Sequence, residues 1–231
     1  MKTIATFYGF LLLIGSTSCG VIPLNNQFEK AGTLKEGNIE LGGNISRYEY
    51  MPSLSEDLSP DEPSGFQSLG ARIGIGLTDK ADLKFRYERQ VIAYSGEKSR
   101  MNFFSIVPKF AIKEKEFSFL IPFSVYSLKD TYDSKPYTSN TFSIAPQLLY
   151  TFTSPKNKSD LTFGFKGEVE FGEETIIPIL LFGGSVGAGF SSDLSKWAIR
   201  PEIGATFIGG FLDWSYGVGF QYTIPKRKRA H

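Results

Sequence analysis

The sequence predicts an all-β protein, a closed antiparallel up-and-down transmembrane β-barrel of about ten strands, and three observations predict it. Apolar and polar residues alternate through almost all of 38–224, which is the period of a strand and not of a helix. The apolar set is aromatic and almost free of charge, while the opposite set holds arginine, lysine and glutamate. The links between the alternating runs differ in length, as expected when tight turns lie on one side of a membrane and longer loops on the other. Composition agrees: 231 residues suit one barrel, and 15% aromatic residues with 24 glycines are usual in all-β chains.

Residues 1–18 read as a signal peptide: Lys2 supplies the positive start, Ile4 to Ile14 the apolar run, and Ser16, Thr17 and Ser18 the small residues before cleavage. That run is too short to cross a bilayer as a helix. Cys19 is the only cysteine, so the chain forms no internal disulfide. Residues 19–37 form a polar periplasmic leader without a sustained period, and 38–224 form the barrel. The alternating runs fall at roughly 38–48, 66–78, 81–92, 101–113, 116–127, 140–153, 159–171, 179–191, 196–207 and 211–224.

The last run shows the division most plainly, with Leu212, Trp214, Tyr216, Val218, Phe220, Tyr222 and Ile224 against Asp213, Ser215, Gly217, Gly219, Gln221 and Thr223. Thr78-Asp79-Lys80, Lys113-Glu114-Lys115, 154–158 and 191–195 are the expected short turns; 51–65 and 129–140 are the expected exposed loops. An even strand count puts both termini in the periplasm, where 225–231 form a basic tail. Pro108, Pro122, Pro146 and Pro201 interrupt runs in a ladder that a closed barrel needs complete, and β-bulges are the expected repair.

The segment Gly15-Ser16-Thr17-Ser18-Cys19-Gly20 resembles the lipobox of bacterial lipoproteins, which implies acylation of Cys19; the small residues before it suit ordinary secretion with a free thiol as well. Ser215-Tyr216-Gly217-Val218-Gly219-Phe220-Gln221-Tyr222 resembles the terminal-strand signal read by barrel-assembly machinery, with Ser215, Gly217, Phe220 and Tyr222 at its polar, glycine and aromatic places. The chain differs in continuing to His231. Residues 31–41 and 74–83 are similar to segments of small outer-membrane barrels of uncertain transport function, including the phenol-degradation-associated kind. These resemblances imply a bacterial outer-membrane location, with outer-membrane lipid and the assembly machinery as partners.

Alternation alone does not say which face is inside, because a soluble barrel such as a lipocalin turns its apolar residues inward around a ligand. Charge decides for lipid outside: a lysine or arginine at the midplane of the lipid face costs about 2–4 kcal/mol. The inward set is then Arg72, Lys84, Arg86, Lys109, Lys166 and Arg200 with Glu88, Glu168, Glu170, Glu202 and Asp213, near enough to balance for a mutually paired network. Arg89 shares parity with the apolar set, and Leu120, Tyr126 and Leu149 with the polar one. Ten strands lie near the filled end of the barrel series, so the lumen is narrow or occluded.

Catalysis has little to work with, since the only histidine is His231 and the only cysteine is Cys19, which excludes a Ser-His or Cys-His pair inside a barrel. No cluster has metal-ligand spacing and no cofactor is implied. The 25 Lys+Arg nearly cancel the 24 Asp+Glu, so no nucleic-acid partner is expected; Lys226-Arg227-Lys228-Arg229 read as a solvated tail or a contact for lipid phosphates. Two functions remain: a membrane barrel acting as a structural or surface-interaction protein or a restricted conduit for an unknown small molecule, and a lipid-anchored soluble periplasmic barrel that binds a hydrophobic ligand.

Overall fold

A computed structural model describes residues 26–50, 65–94, 97–132, 135–172, 178–208 and 211–226. Its strands are β1 (Ile39–Tyr50), β2 (Gly65–Thr78), β3 (Ala81–Tyr94), β4 (Glu97–Lys113), β5 (Phe117–Leu120), β6 (Phe123–Tyr132), β7 (Lys135–Ile144), β8 (Gln147–Thr153), β9 (Ser159–Gly172), β10 (Ile179–Phe190), β11 (Trp197–Ile208) and β12 (Phe211–Ile224). The segments β5 and β6, and β7 and β8, are halves of single strands broken at proline, so the wall is a closed ten-stranded antiparallel barrel. Every strand pairs with its neighbours in sequence. The first and last strands close the ring from Ile39↔Ile224 to Tyr50↔Asp213.

Closure leaves no open edge, and the physical reason for the alternation appears in the burial. Leu69, Ile45 and Phe165 are 67%, 59% and 58% exposed on the outer wall, whereas Glu88, Arg200 and Lys166 are 0%, 1% and 2% exposed inside. A water-soluble fold shows the reverse. An apolar exterior around a charged interior is the distribution that hydrocarbon outside and polar partners inside would stabilise.

Two sequence expectations are corrected here. The stretch 129–140 is not a loop: β6 runs to Tyr132 and β7 starts at Lys135, so only two residues join them. The same holds at β3–β4 and β11–β12, and links at the far end therefore are not uniformly longer than those at the end carrying Ile39 and Ile224, called here the terminal end. Strand pairing continues beyond the apolar belt, where alternation no longer marks it. The expected loop at 51–65 lies outside the described residues apart from Gly65, which opens β2.

The prolines are not repaired by bulges either. Lys109↔Leu120 and Ile106↔Phe123 keep one register across the break at Pro122, and Gln147↔Lys166 and Ile144↔Val169 do so across Pro146. The carbonyls of Pro108, Pro122 and Pro146 still accept from the N–H groups of Ile121, Ala145 and Gly167, each at 3.0 Å. Only the return bond of each rung is missing, because proline has no N–H. Register shifts occur instead at Gly76/Thr78 and Ala111/Lys113, beside the turns.

Leu120, Tyr126 and Leu149 keep their parity and point inward. Leu120 and Leu149 form an apolar niche with Val107 and Ala31. Tyr126 joins Tyr48, Phe66, Met101 and Phe103 in a second cluster toward the far end, where the rings of Tyr48 and Phe66 stack with centroids 4.6 Å apart. Arg89 is exposed on the outer wall opposite Asn102, well up β3 toward the far end, where the apolar belt gives way to polar groups such as Arg47 and Glu49.

Candidate functional site

The main polar site of the molecule is the lumen, and it is occupied. The sequence sets 19–37 apart from the barrel as a leader; its described part, from Asn26 on, is threaded inside the ring, with Asn26, Phe28, Glu29, Ala31 and Leu34 all buried. The leader enters at the terminal end. There Gly37 takes φ +74°, a conformation that favours glycine, and its N–H bonds to Gly76 O at 2.8 Å before the chain turns into β1.

Side chains from five strands hold the leader backbone, and one from a sixth holds a leader side chain. At the terminal end the Leu34 N–H donates to both carboxylate oxygens of Asp82, at 2.9 and 3.1 Å, and the Ala31 N–H to Thr151 Oγ1 at 2.8 Å. Lys109 Nζ donates to the carbonyls of Lys30 and Gly32 at 2.6 and 2.9 Å. Farther in, Phe28 adopts φ +53°, which is unusual for a bulky residue. Beside that bend the successive N–H groups of Gln27 and Phe28 donate to the two oxygens of Glu202 at 2.7 and 2.8 Å. Arg72 clamps the same two residues from their other side, donating to their carbonyls at 2.6 and 2.8 Å. Arg86 donates to Asn26 O at 2.6 Å and Gln27 Oε1 at 3.0 Å, and Ser215 Oγ to Asn26 Oδ1 at 2.7 Å.

Three leader side chains fill shaped places. Glu29 sits between Lys84 Nζ at 2.9 Å and Lys109 Nζ at 3.2 Å, with Arg72 at 4.0 Å. Ala31 enters the niche of Val107, Leu120 and Leu149. Phe28 lies over Gly217 and Gly219; a Cβ at Gly219 would come within 2.6 Å of Phe28 Cβ. A glycine shelf is therefore what makes room for the ring.

All eleven charged residues assigned to the lumen by parity lie on the inner side of the wall. Their partners are more varied than a closed set of mutual pairs. Arg86 meets Glu88, and Lys166 meets Glu168 at 2.9 Å. Lys84 meets Glu40 at 2.9 Å, and Arg200 forms a two-pronged bond with Asp160 at 2.8 and 2.5 Å. Glu202 serves the leader, and neither oxygen of buried Glu170 has a partner among the described residues. Asp82 and Asp160 share inward parity with Lys84 and Lys166 on their own strands, and Glu40 stands between the outward Ile39 and Leu41, so all three were readable; Glu29 lies where no period exists.

In the terminal-strand segment, Ser215 and Gly217 face the leader while Phe220 and Tyr222 stand on the outer wall. Cys19 and the signal peptide lie outside the described residues, as does the basic tail after Lys226, whose Nζ meets Glu36 at 2.9 Å. Among the described residues no group of three or more histidine, cysteine, aspartate or glutamate side chains is placed to hold a metal ion. At the mouth a vestibule of about 770 Å³ opens beside the leader, bordered by Leu34, Lys115, Tyr150 and Asn157. Lys30 stands there and donates to Leu194 O at 3.0 Å; burial, helped by the nearby Arg200, pushes its ammonium down to about 8.

No protein-family model matches the chain, and no curated protein sequence matches it. Solved structures do. The translocator domain of the autotransporter NalP from Neisseria meningitidis aligns over 96% of both chains with 13% identity and a TM-score of 0.54, and this likeness shows the fold. The β domain of the Bordetella autotransporter BrkA aligns over 81% of this chain and 99% of its own, at 10% identity and a TM-score of 0.48. The outer-membrane protease OmpT from Escherichia coli aligns over 86% and 100%, at 10% identity and 0.42. The chain has the fold of a bacterial outer-membrane barrel.

Proposed function

We propose that this protein is a bacterial outer-membrane barrel closed by its own leader, a membrane-embedded structural or surface-interaction protein and not an open pore. One observation carries the reading: residues 26–34 fill the lumen and are bonded through backbone and side chain to Asp82, Arg72, Arg86, Lys109, Thr151 and Glu202 of the wall. The apolar exterior supports insertion in lipid. It argues against the soluble ligand-binding barrel, as does an interior whose polar space is taken by the leader. Delivery to the membrane would use the terminal-strand residues Ser215, Gly217, Phe220 and Tyr222 as the assembly signal, with Cys19 as an added lipid anchor.

The test is conductance. Purified full-length protein inserted in planar bilayers is expected to be electrically silent under moderate voltage; steady channels from the unmodified chain would overturn the closed reading.

A further inference from the structure

The lumen wall recognises the leader's sequence as well as its backbone. Donors from Arg72, Arg86 and Lys109 take carbonyls, and acceptors from Glu202, Thr151 and Asp82 take N–H groups, so any extended chain would find the same rungs. Three further places select side chains: the Gly217–Gly219 shelf takes an aromatic ring, the Lys84–Lys109 pair takes a carboxylate, and the Val107–Leu120–Leu149 niche takes a small residue. In the leader these are Phe28, Glu29 and Ala31.

The wall groups belong to β2, β3, β4, β5, β8, β11 and β12, within a ring that closes without the leader. The described leader is tied to that ring covalently only through Gly37 and β1; its other contacts are non-covalent. A site of this kind does not depend on the occupant being part of the same chain.

We propose that the lumen is a binding site for an extended peptide of the pattern aromatic–acid–any–small, which the leader occupies in cis and which a segment of another chain takes when the leader is out. The inference rests on the closed-barrel reading above and names the ligand class of that same site. A second, unrelated chain is the occupant it envisages, since the contacts define a peptide chemistry.

The experiment uses the full chain carrying Phe28→Gly and Glu29→Lys, which removes the ring from the shelf and places a cation between Lys84 and Lys109. Folding is checked by heat-dependent gel mobility in detergent. The probe is a fluorescent nonapeptide with the sequence of residues 26–34, followed by polarisation. Saturable binding is expected, at least tenfold tighter than that of the same peptide with lysine in place of glutamate, and at least tenfold tighter than binding to the unmodified chain. Absence of saturable binding to the folded variant, equal affinity for both peptides, or equal affinity of the unmodified chain would each overturn the proposal. Should the double variant not fold, Phe28→Gly alone is read by the same three comparisons. Steady conductance by the unmodified chain would instead defeat the closed-barrel reading, so the two failures are separable.

Discussion

Phe28 and Gly219 show how one glycine sets what the lumen holds. A methyl group on Gly219 would stand 2.6 Å from Phe28 Cβ and 2.7 Å from its Cγ, closer than packed carbons tolerate. Gly219→Ala is therefore expected to weaken leader docking by about 1–3 kcal/mol, the usual cost of overfilling a tight site. Combining it with Phe28→Gly, which takes away the Cβ as well as the ring, removes the clash, so the two changes together should cost less than their sum. Hydrogen exchange at the Ala31 and Leu34 N–H groups measures docking, and strict additivity would contradict the shelf. Lys30 gives a pH dependence at the same scale. Its docked ammonium is pushed down to about 8 from an ordinary 10.5, so between those values the free leader holds a proton that the docked leader has shed. Docking should then tighten as pH rises through that window and be weakest below it. Exchange protection of Ala31, corrected for its intrinsic rate, is expected to grow from pH 7.5 to 9.5 in the unmodified chain and to stay flat in Lys30→Met. A flat profile in both would remove this account of Lys30.

At the scale of elements, the row of prolines is the weak line of the wall. Pro108, Pro122 and Pro146 stand in successive strands, and each leaves its rung with a single bond. Pro146 faces outward, so a branched apolar residue there would meet the same surroundings as its neighbours. Pro146→Val supplies an N–H opposite Gly167 O and should raise the unfolding free energy by about 0.5 kcal/mol, the roughly 1 kcal/mol net worth of one hydrogen bond less the chain entropy that proline had removed. An unchanged or lower denaturation midpoint in detergent would show that the rung is already satisfied. The strands were legible because inward and outward residues alternate under opposite solvents, and the ten runs match the wall closely. What failed was legible only by pairing: β6 and β7 continue through 129–140 after the apolar belt has ended, and a continuous register absorbs the prolines without bulges. The leader was illegible for a deeper reason. Its burial comes from contacts with side chains far along the chain, Glu202 being 175 residues from Gln27, and no local period records such contacts.

The whole molecule is organised by an inversion, with charge enclosed and aromatic surface displayed. Charged groups inside are stabilised by each other and by the leader, as buried ions must be, and the outer wall gains only if hydrocarbon surrounds it. Ile203, midway along β11 and 50% exposed, tests the second half of that statement. In lipid, Ile203→Arg puts a cation near the bilayer midplane and should cost about 2–4 kcal/mol, whereas at a water-facing position of a soluble barrel the same change would lie within about 0.5 kcal/mol of neutral. Unfolding from lipid vesicles by denaturant measures the difference. The partner control is Arg47→Ala near the far rim, where the side chain is 41% exposed beside Glu49 and an exposed ion pair contributes little. A large loss at Ile203 with a small one at Arg47 would place the hydrocarbon around the middle of the wall. Small losses at both would mean that water, and not lipid, bathes the aromatic exterior.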